Sequence, residues 1–333
     1  MRARATLVIV VLALAACGAP ARQVVEPVAP PPVRADEPLD WATLLPLDTL
    51  GFLRIDLERL RRSPHHAALE PLFRELLGEV EDDALRESFA SVLERTDLML
   101  VAILPAAAED GEEELLLFAR GDYRPDEIEQ LDASAPERSV PIDVRGQRVW
   151  VAGTPGDPTT VSQLRPDTLV LTGTRAHMEG VIARTHMASG APRWPRSVRG
   201  LIEELEIERA TIGLAIARQS FGGDEEGDGL LVSIAGRADL DGPLSLDVTA
   251  ELDDPSTAAM VAVIIEGMVR AVGSSEDSLP LRHLAERARV EASGTRVRAS
   301  VRADAETTGR AVPALIELFR DGVSAEDDSL LAP

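Results

Sequence analysis

Few residues in this sequence have types and spacings that could do chemistry. The sole cysteine is Cys17, and the histidines are His65, His66, His177, His186 and His283. One thiol excludes an intrachain disulfide, a Cys-x-x-Cys redox pair and a thiolate zinc cluster. The chain has no lysine, which excludes Schiff-base and Ser-Lys mechanisms and the Gly-x-x-x-x-Gly-Lys phosphate loop. No Gly-x-Ser-x-Gly nucleophile elbow occurs. Ser63-Pro64 has the signature of a helix start, which puts His65 and His66 in the first turn and Glu70 on the same face as His66. A metal site needs a further ligand, so a solvated helix start is expected there. Asp224, Glu226, Asp228 and Gly229 open with the spacing of a calcium loop, but its twelfth position is Ala235 where a bidentate glutamate is needed. An acidic hairpin loop over Gly222 to Gly229 is the expectation. Arg296, Arg298 and Arg302 form a row suited to an acidic partner or a carboxylated sugar. Pairing across the sheet with Glu291 is the expected use. The acidic runs Glu81 to Asp83, Glu109 to Glu114 and Glu326 to Asp328 read as solvated loop charges. No catalytic residue, metal ligand or cofactor site is assigned.

Cys17 stands apart because of what precedes it. Met1-Arg2-Ala3-Arg4 is a basic start, and Leu7 to Ala16 is a ten-residue apolar run, too short for a membrane span of ~20 residues. It fits the apolar core of a secretory signal. Leu14-Ala15-Ala16-Cys17 resembles the lipobox of bacterial lipoproteins. The resemblance covers about the first twenty residues. It implies a diacylglycerol on the Cys17 thiol, cleavage before Cys17 by signal peptidase II, and acylation of the new amino group. Two or three acyl chains (palmitate and its like) suffice for stable anchoring. Gly18, rather than aspartate, implies the outer membrane by the sorting rule of that family. From Gly18 to Asp40 the chain has six prolines, including Pro30-Pro31-Pro32. This segment reads as an extended tether reaching on the order of 70 Å.

The composition sets the wider bounds. The 333 residues carry 57 acidic and 34 basic side chains, a net charge of −23. Loss of residues 1–16 would remove Arg2 and Arg4 and leave the mature chain near −25. So acidic a chain, with only 3% aromatic residues, argues against nucleic-acid binding and against docking on anionic lipid. The core must be built from Leu, Val, Ile and Ala.

The elements that would position any site follow from periodicity. In the first half, strands are expected at Gly51 to Asp56, Leu98 to Leu104, Glu114 to Arg120 and Thr168 to Thr172. Helices are expected from Ser63 through Leu77, at Asp83 to Glu94 and at Arg175 to Met187. A hairpin over Arg138 to Gly153 turns at Arg145-Gly146-Gln147. In the second half, Ile212-Leu214-Ile216, Val232 to Leu240 and Leu244 to Leu252 alternate at period two, and Asp241-Gly242 marks a tight turn. A long apolar helix runs from Pro255 to about Val272. A hairpin about Gly294 joins Arg289 to Ser293 with Thr295 to Ala303, and a last helix from Asp304 to Phe319 buries Val312, Leu315, Ile316 and Phe319. These elements predict an α+β fold of two similar halves, each an antiparallel sheet covered by helices on one face. The expected organisation is a signal peptide (1–16), a lipidated tether (17–40), a first half (41–190), a second half (191–320) and an acidic tail (321–333). The body is also similar, in diffuse pattern, to uncharacterised α+β bacterial lipoproteins. The functional expectation is a non-enzymatic, membrane-anchored envelope protein with a structural or protein-binding role. Its body would be periplasmic or surface-exposed, and its partner an envelope protein. The alternative is a carrier of an apolar ligand, with the helix Ala258 to Val272 lining or closing the cavity. A hydrolase has no positive sign.

Overall fold

The computed structural model describes residues 41–46, 48–69, 90–105, 113–134, 139–154, 157–185, 196–221, 230–274 and 279–314. The fold is α+β, with antiparallel sheet and helices. The chain divides into two compact units.

One unit takes in residues 41–57 and 90–199 of the described chain. Its strands are β1 (Gly51–Asp56), β2 (Thr96–Leu104), β3 (Glu114–Gly121), β4 (Val140–Val144), β5 (Gln147–Thr154), β6 (Asp157–Arg165) and β7 (Thr168–Thr172). They lie in the order β1-β2-β3-β7-β6-β5-β4. Leu98, Leu100, Ala102 and Leu104 alternate along β2 and are all buried, the pattern expected of an inward row. The β4–β5 turn falls where the sequence places it: Arg145 and Gly146 both have positive φ, at 54° and 82°, as a two-residue type I′ turn requires. Gly121 is needed for close approach, since a Cβ there would lie 2.1 Å from the Arg95 carbonyl oxygen. Helix α1 (Trp41–Leu44) sets the Trp41 ring on Phe52, 5.5 Å between centroids.

The other unit takes in residues 58–69 and 200–314. Its strands are β8 (Ile212–Phe221), β9 (Leu230–Asp239), β10 (Leu244–Leu252), β11 (Ala288–Ser293) and β12 (Arg296–Ala303). Their order is β11-β12-β10-β9-β8, so β11 is a terminal strand. The remaining helices, numbered along the whole chain, are α2 (Leu57–Arg62), α3 (Glu127–Ser134), α4 (Arg175–Thr185), α5 (Arg196–Glu204), α6 (Pro255–Ser274) and α7 (Leu279–Ala285). Residues 305–314 are helical as expected, with Val312 buried; Leu315, Ile316 and Phe319 lie outside the described residues.

Several expectations are corrected. A helix, α2, occupies the residues before Ser63, where none was expected. Leu57 and Leu60 are its buried positions, and a six-residue helix offers too few turns for periodicity to show. Strand β6 was also missed; its buried residues include Thr159, Thr160 and Ser162, so it lacks an apolar row. The tight Asp241-Gly242 turn is a wider loop: Asp239 pairs with Ser245, and Pro243 follows the glycine. In β10 the row expected to face outward is not exposed. Asp247 and Thr249 are 4% and 2% accessible: β10 lies between β9 and β12, and long arginine side chains of β12 reach over Asp247.

Candidate functional site

The sheet of the second unit has two contrasting faces. On one face the arginine row of β12 lies beside acidic residues of β10. Arg298 donates from Nη2 to Asp247 Oδ1 at 3.1 Å, and Arg302 donates to Asp247 Oδ2 at 2.5 Å. Arg296, directly opposite Glu251 in the register, bonds Glu251 at 3.2 Å and Glu204 of α5 at 3.0 Å. Arg237 on β9 bonds Asp239 and the Leu205 carbonyl. Arg59 of α2 bonds Asp239 and Asp241. Burial acts to raise the Asp247 carboxyl, but the bonds from Arg302 and Arg298 outweigh it and hold its pKa below the usual 3.8. The arginines therefore neutralise the sheet's own carboxylates. Their partners are Asp247 and Glu251 rather than Glu291, although Glu291 is directly opposite Arg298 in the β11–β12 register. Among the described residues neither Arg289 nor Glu291 of β11 makes an ion pair.

The opposite face is apolar and carries α6. Val232, Leu252, Ala258, Ala262 and Val297 form a buried cluster, with Ile234, Ala250, Val261, Ile265 and Val290 packed around it. The helix begins on Asp254, whose Oδ1 accepts from the backbone of Ser256 at 2.8 Å and of Thr257 at 3.0 Å. Pro255 takes the first helical position. The hydroxyl bonds of Ser256 and Thr257 with the Thr257 amide hold the Asp254 carboxyl well below the usual range.

The side of α6 turned away from the sheet is apolar too. Met260, Val263, Ile264, Met268 and Val272 are exposed, as is Leu279 at the start of α7. These positions recur at helical spacing. The only charges on the helix, Glu266 and Arg270, bond each other at 3.1 Å, i to i+4. The helix is thus apolar both toward the sheet and on its exposed side. The helix turns Ala258 and Ala262, with Val261 and Ile265, toward the sheet, and Met260, Val263, Ile264 and Met268 away from it. Hydrophobic composition alone could not separate these two faces.

The histidines are placed as follows. His65 is not at a solvated helix start but is buried, 4% accessible, and its Nε2 lies 2.7 Å from the Gly242 carbonyl. Ser63 Oγ accepts from the His65 amide at 3.1 Å and bonds the Leu240 carbonyl. The pair thus fastens the end of α2 to the β9–β10 loop. Glu70 and His186 lie outside the described residues. So do Cys17, the acidic loop Asp224, Glu226, Asp228 and Gly229, the acidic runs at 81–83, 109–112 and 326–328, and the segments 1–16, 17–40 and 321–333. His177, isolated in sequence, meets Glu114: Nδ1 donates to Oε2 at 2.7 Å, with Thr174 Oγ1 3.1 Å away. They stand 63 positions apart in the sequence, and no local pattern signals the pairing. His283 is exposed on α7. Among the described residues no three His, Cys, Asp or Glu side chains gather as a metal cage.

In the first unit, Arg95 forms a two-pronged pair with Glu127 of α3, at 2.5 and 2.6 Å. Glu127 also accepts from the Arg124 amide at 3.0 Å. Burial would raise the Glu127 carboxyl, but these bonds lower it. Beside it, burial pushes the Tyr123 hydroxyl up to about 12 while its bond to Thr96 acts the other way. These groups tie the helix to the sheet.

No protein-family model matches the chain, and no curated protein does. Among solved structures, crystal form IV of TP0453 aligns with a TM-score of 0.49 and 12% identity, over 83% of this chain and 97% of that one.

Proposed function

We propose that this chain is a lipid-anchored envelope protein whose α+β body binds protein and performs no catalysis. The observation that carries the binding role is the exposed apolar face of α6, from which Met260, Val263, Ile264 and Met268 project outward. The anchor rests on the Leu14-Ala15-Ala16-Cys17 motif and the proline-rich stretch after it, which would hold the body off the lipid. Outer-membrane placement follows from Gly18 on the same reading. The similar order of hairpin and helix at the end of each sequence half supports an internal duplication as its origin.

The test is the Cys17→Ser variant. Intact-mass analysis is expected to show acyl chains on the wild type and none on the variant, with the variant leaving the membrane fraction. Identical fractionation of the two would remove the anchor from this reading. For the binding role, Met260→Glu with Met268→Glu is expected to keep lipidation and folding while abolishing cross-links from α6 to protein in intact envelopes. Unchanged cross-links would move the binding role off α6.

A further inference from the structure

The exposed face of α6 and the edge of β11, terminal among the described strands, lie at the same end of one sheet. Together they fit a second copy of this chain. We propose that the protein is a two-fold homodimer joined edge to edge through β11, with the two α6 helices packed side by side over the joined sheet. The proposal rests on the protein-binding reading above and names its partner.

The register supplies the first argument. Ser293 pairs with Arg296 across the turn at Gly294, whose φ is +59°. A two-residue turn is closed by a hydrogen-bonded pair, and such pairs recur at every second residue of an antiparallel ladder. Residues 293, 291 and 289 therefore bond to β12. Ala288, Val290 and Ala292 direct their backbone N–H and C=O groups to the open edge. β11 has no proline, lysine or bulge to blunt that edge.

Charge supplies the second argument. An antiparallel copy centred on Val290 sets Val290 against its own equivalent as a hydrogen-bonded pair. The same register sets Arg289 opposite Glu291 of the other copy, twice by symmetry. These are the β11 side chains that have no ion pair among the described residues. They would meet at a non-hydrogen-bonded position, where Cα atoms are only about 4.5 Å apart and side chains are closest. A strand carrying Arg-Val-Glu is thus complementary to itself in this register and no other.

The third argument is where α6 sits. It packs on β11 and β12, and α7 packs on α6 and β12. The α7 side of the helix is marked by Gly273, where a Cβ would lie 3.5 Å from Ala285. At 100° per residue, Ile264 and Met268 lie about 140° or more around the helix from Gly273. That turns them away from α7 and toward the open edge. A two-fold axis normal to the sheet places both helices on the same face. With α6 centred about one strand spacing, ~4.8 Å, from the axis, the helices lie ~10 Å apart, a packing distance. The exposed α6 side chains and Leu279 present on the order of 500 Å² of apolar surface, as large a patch as soluble monomers carry. A standard interface takes about 800 Å² from each partner, and the edge strand provides the remainder.

The test uses the full chain carrying Cys17→Ser, so that acyl chains cannot drive association. Light scattering at about 10 µM is expected to give twice the 35.7 kDa chain mass. Arg289→Glu alone and Glu291→Arg alone each place like charges opposite one another twice, and each is expected to weaken the dimer about tenfold. The double swap is expected to restore it. Val290→Cys, then the sole cysteine, is expected to form a disulfide-linked dimer under mild oxidation, because paired Cα atoms about 5.5 Å apart suit that bond. A monomer at this concentration overturns the proposal, as does a dimer indifferent to the charge swaps. Monomer that binds neutral phosphatidylcholine vesicles, and loses that binding with Met268→Glu, assigns the face to lipid and also overturns it. A failed Cys17 fractionation test would remove the anchor and leave these outcomes standing.

Discussion

Asp247 shows how much a single carboxylate can organise. It is 4% accessible on an interior strand and survives as an anion because two guanidinium groups converge on it. Both arginines are about half exposed, which moderates the attraction through solvent screening. Asp247→Asn keeps the shape and removes the charge, and is expected to cost about 2 kcal/mol in chemical denaturation, the scale of hydrogen bonds to charged groups. The pH dependence has a defined sign. The folded carboxyl lies below its ordinary 3.8, so its contribution is present above that value and is lost as pH falls through the folded value. Stability measured from pH 6 down to pH 2 is expected to fall less steeply for Asp247→Asn than for the wild type. Parallel acid limbs would show that Asp247 is not a source of the pH dependence. The arginine row was legible in the sequence through its period-two spacing; its partners were not, because strand order decides which carboxylates it meets.

At the scale of elements, turns and helix ends carried the clearest sequence signals. Arg145-Gly146 and Gly294 both fall at positive φ, where a β-branched side chain is strained. Gly294→Val is expected to lower stability by about 1–2 kcal/mol, and Gly294→Asn by much less, since asparagine tolerates the left-handed region. Equal melting temperatures for the two variants would refute that role for the turn. Pro255 likewise announced the start of α6, and the bonds of Asp254 to Ser256 and Thr257 are its cap. Harder to read were elements without an apolar row. Strand β6 buries threonines that bond each other and the backbone, Thr160 to Thr172 at 2.6 Å among them, so hydrogen bonding replaces the hydrophobic period there. The Glu114–His177 and Arg95–Glu127 pairs join residues far apart in sequence, a relation that no local pattern encodes. Apolar runs likewise showed that α6 would be a helix, yet not that Met260, Val263, Ile264 and Met268 face solvent.

Across the whole molecule, the outward face of α6 has a consequence for how the chain is made. At 20 residues with two charges, Pro255–Ser274 is long and apolar enough to cross a membrane, by length and composition. If the leader directs export, a secretion channel meets this stretch unfolded, before any sheet exists to cover Ala258 and Ala262. A segment of that kind can leave the channel sideways and halt translocation. Glu266 lies near its middle and Arg270 in its last third, where an arginine opposes insertion by less than the about 2.5–3.5 kcal/mol it costs at a helix centre. Among the described residues they bond each other alone, exposed on the helix surface, and do little that packing requires. Their service would come earlier, in keeping the nascent segment moving through the channel. A chain carrying Glu266→Leu and Arg270→Leu together with Cys17→Ser is expected to arrest as a spanning protein, resistant to carbonate extraction and with the residues after Ser274 open to protease on the cytoplasmic side. Full export of that triple variant would show that the pair has no part in translocation.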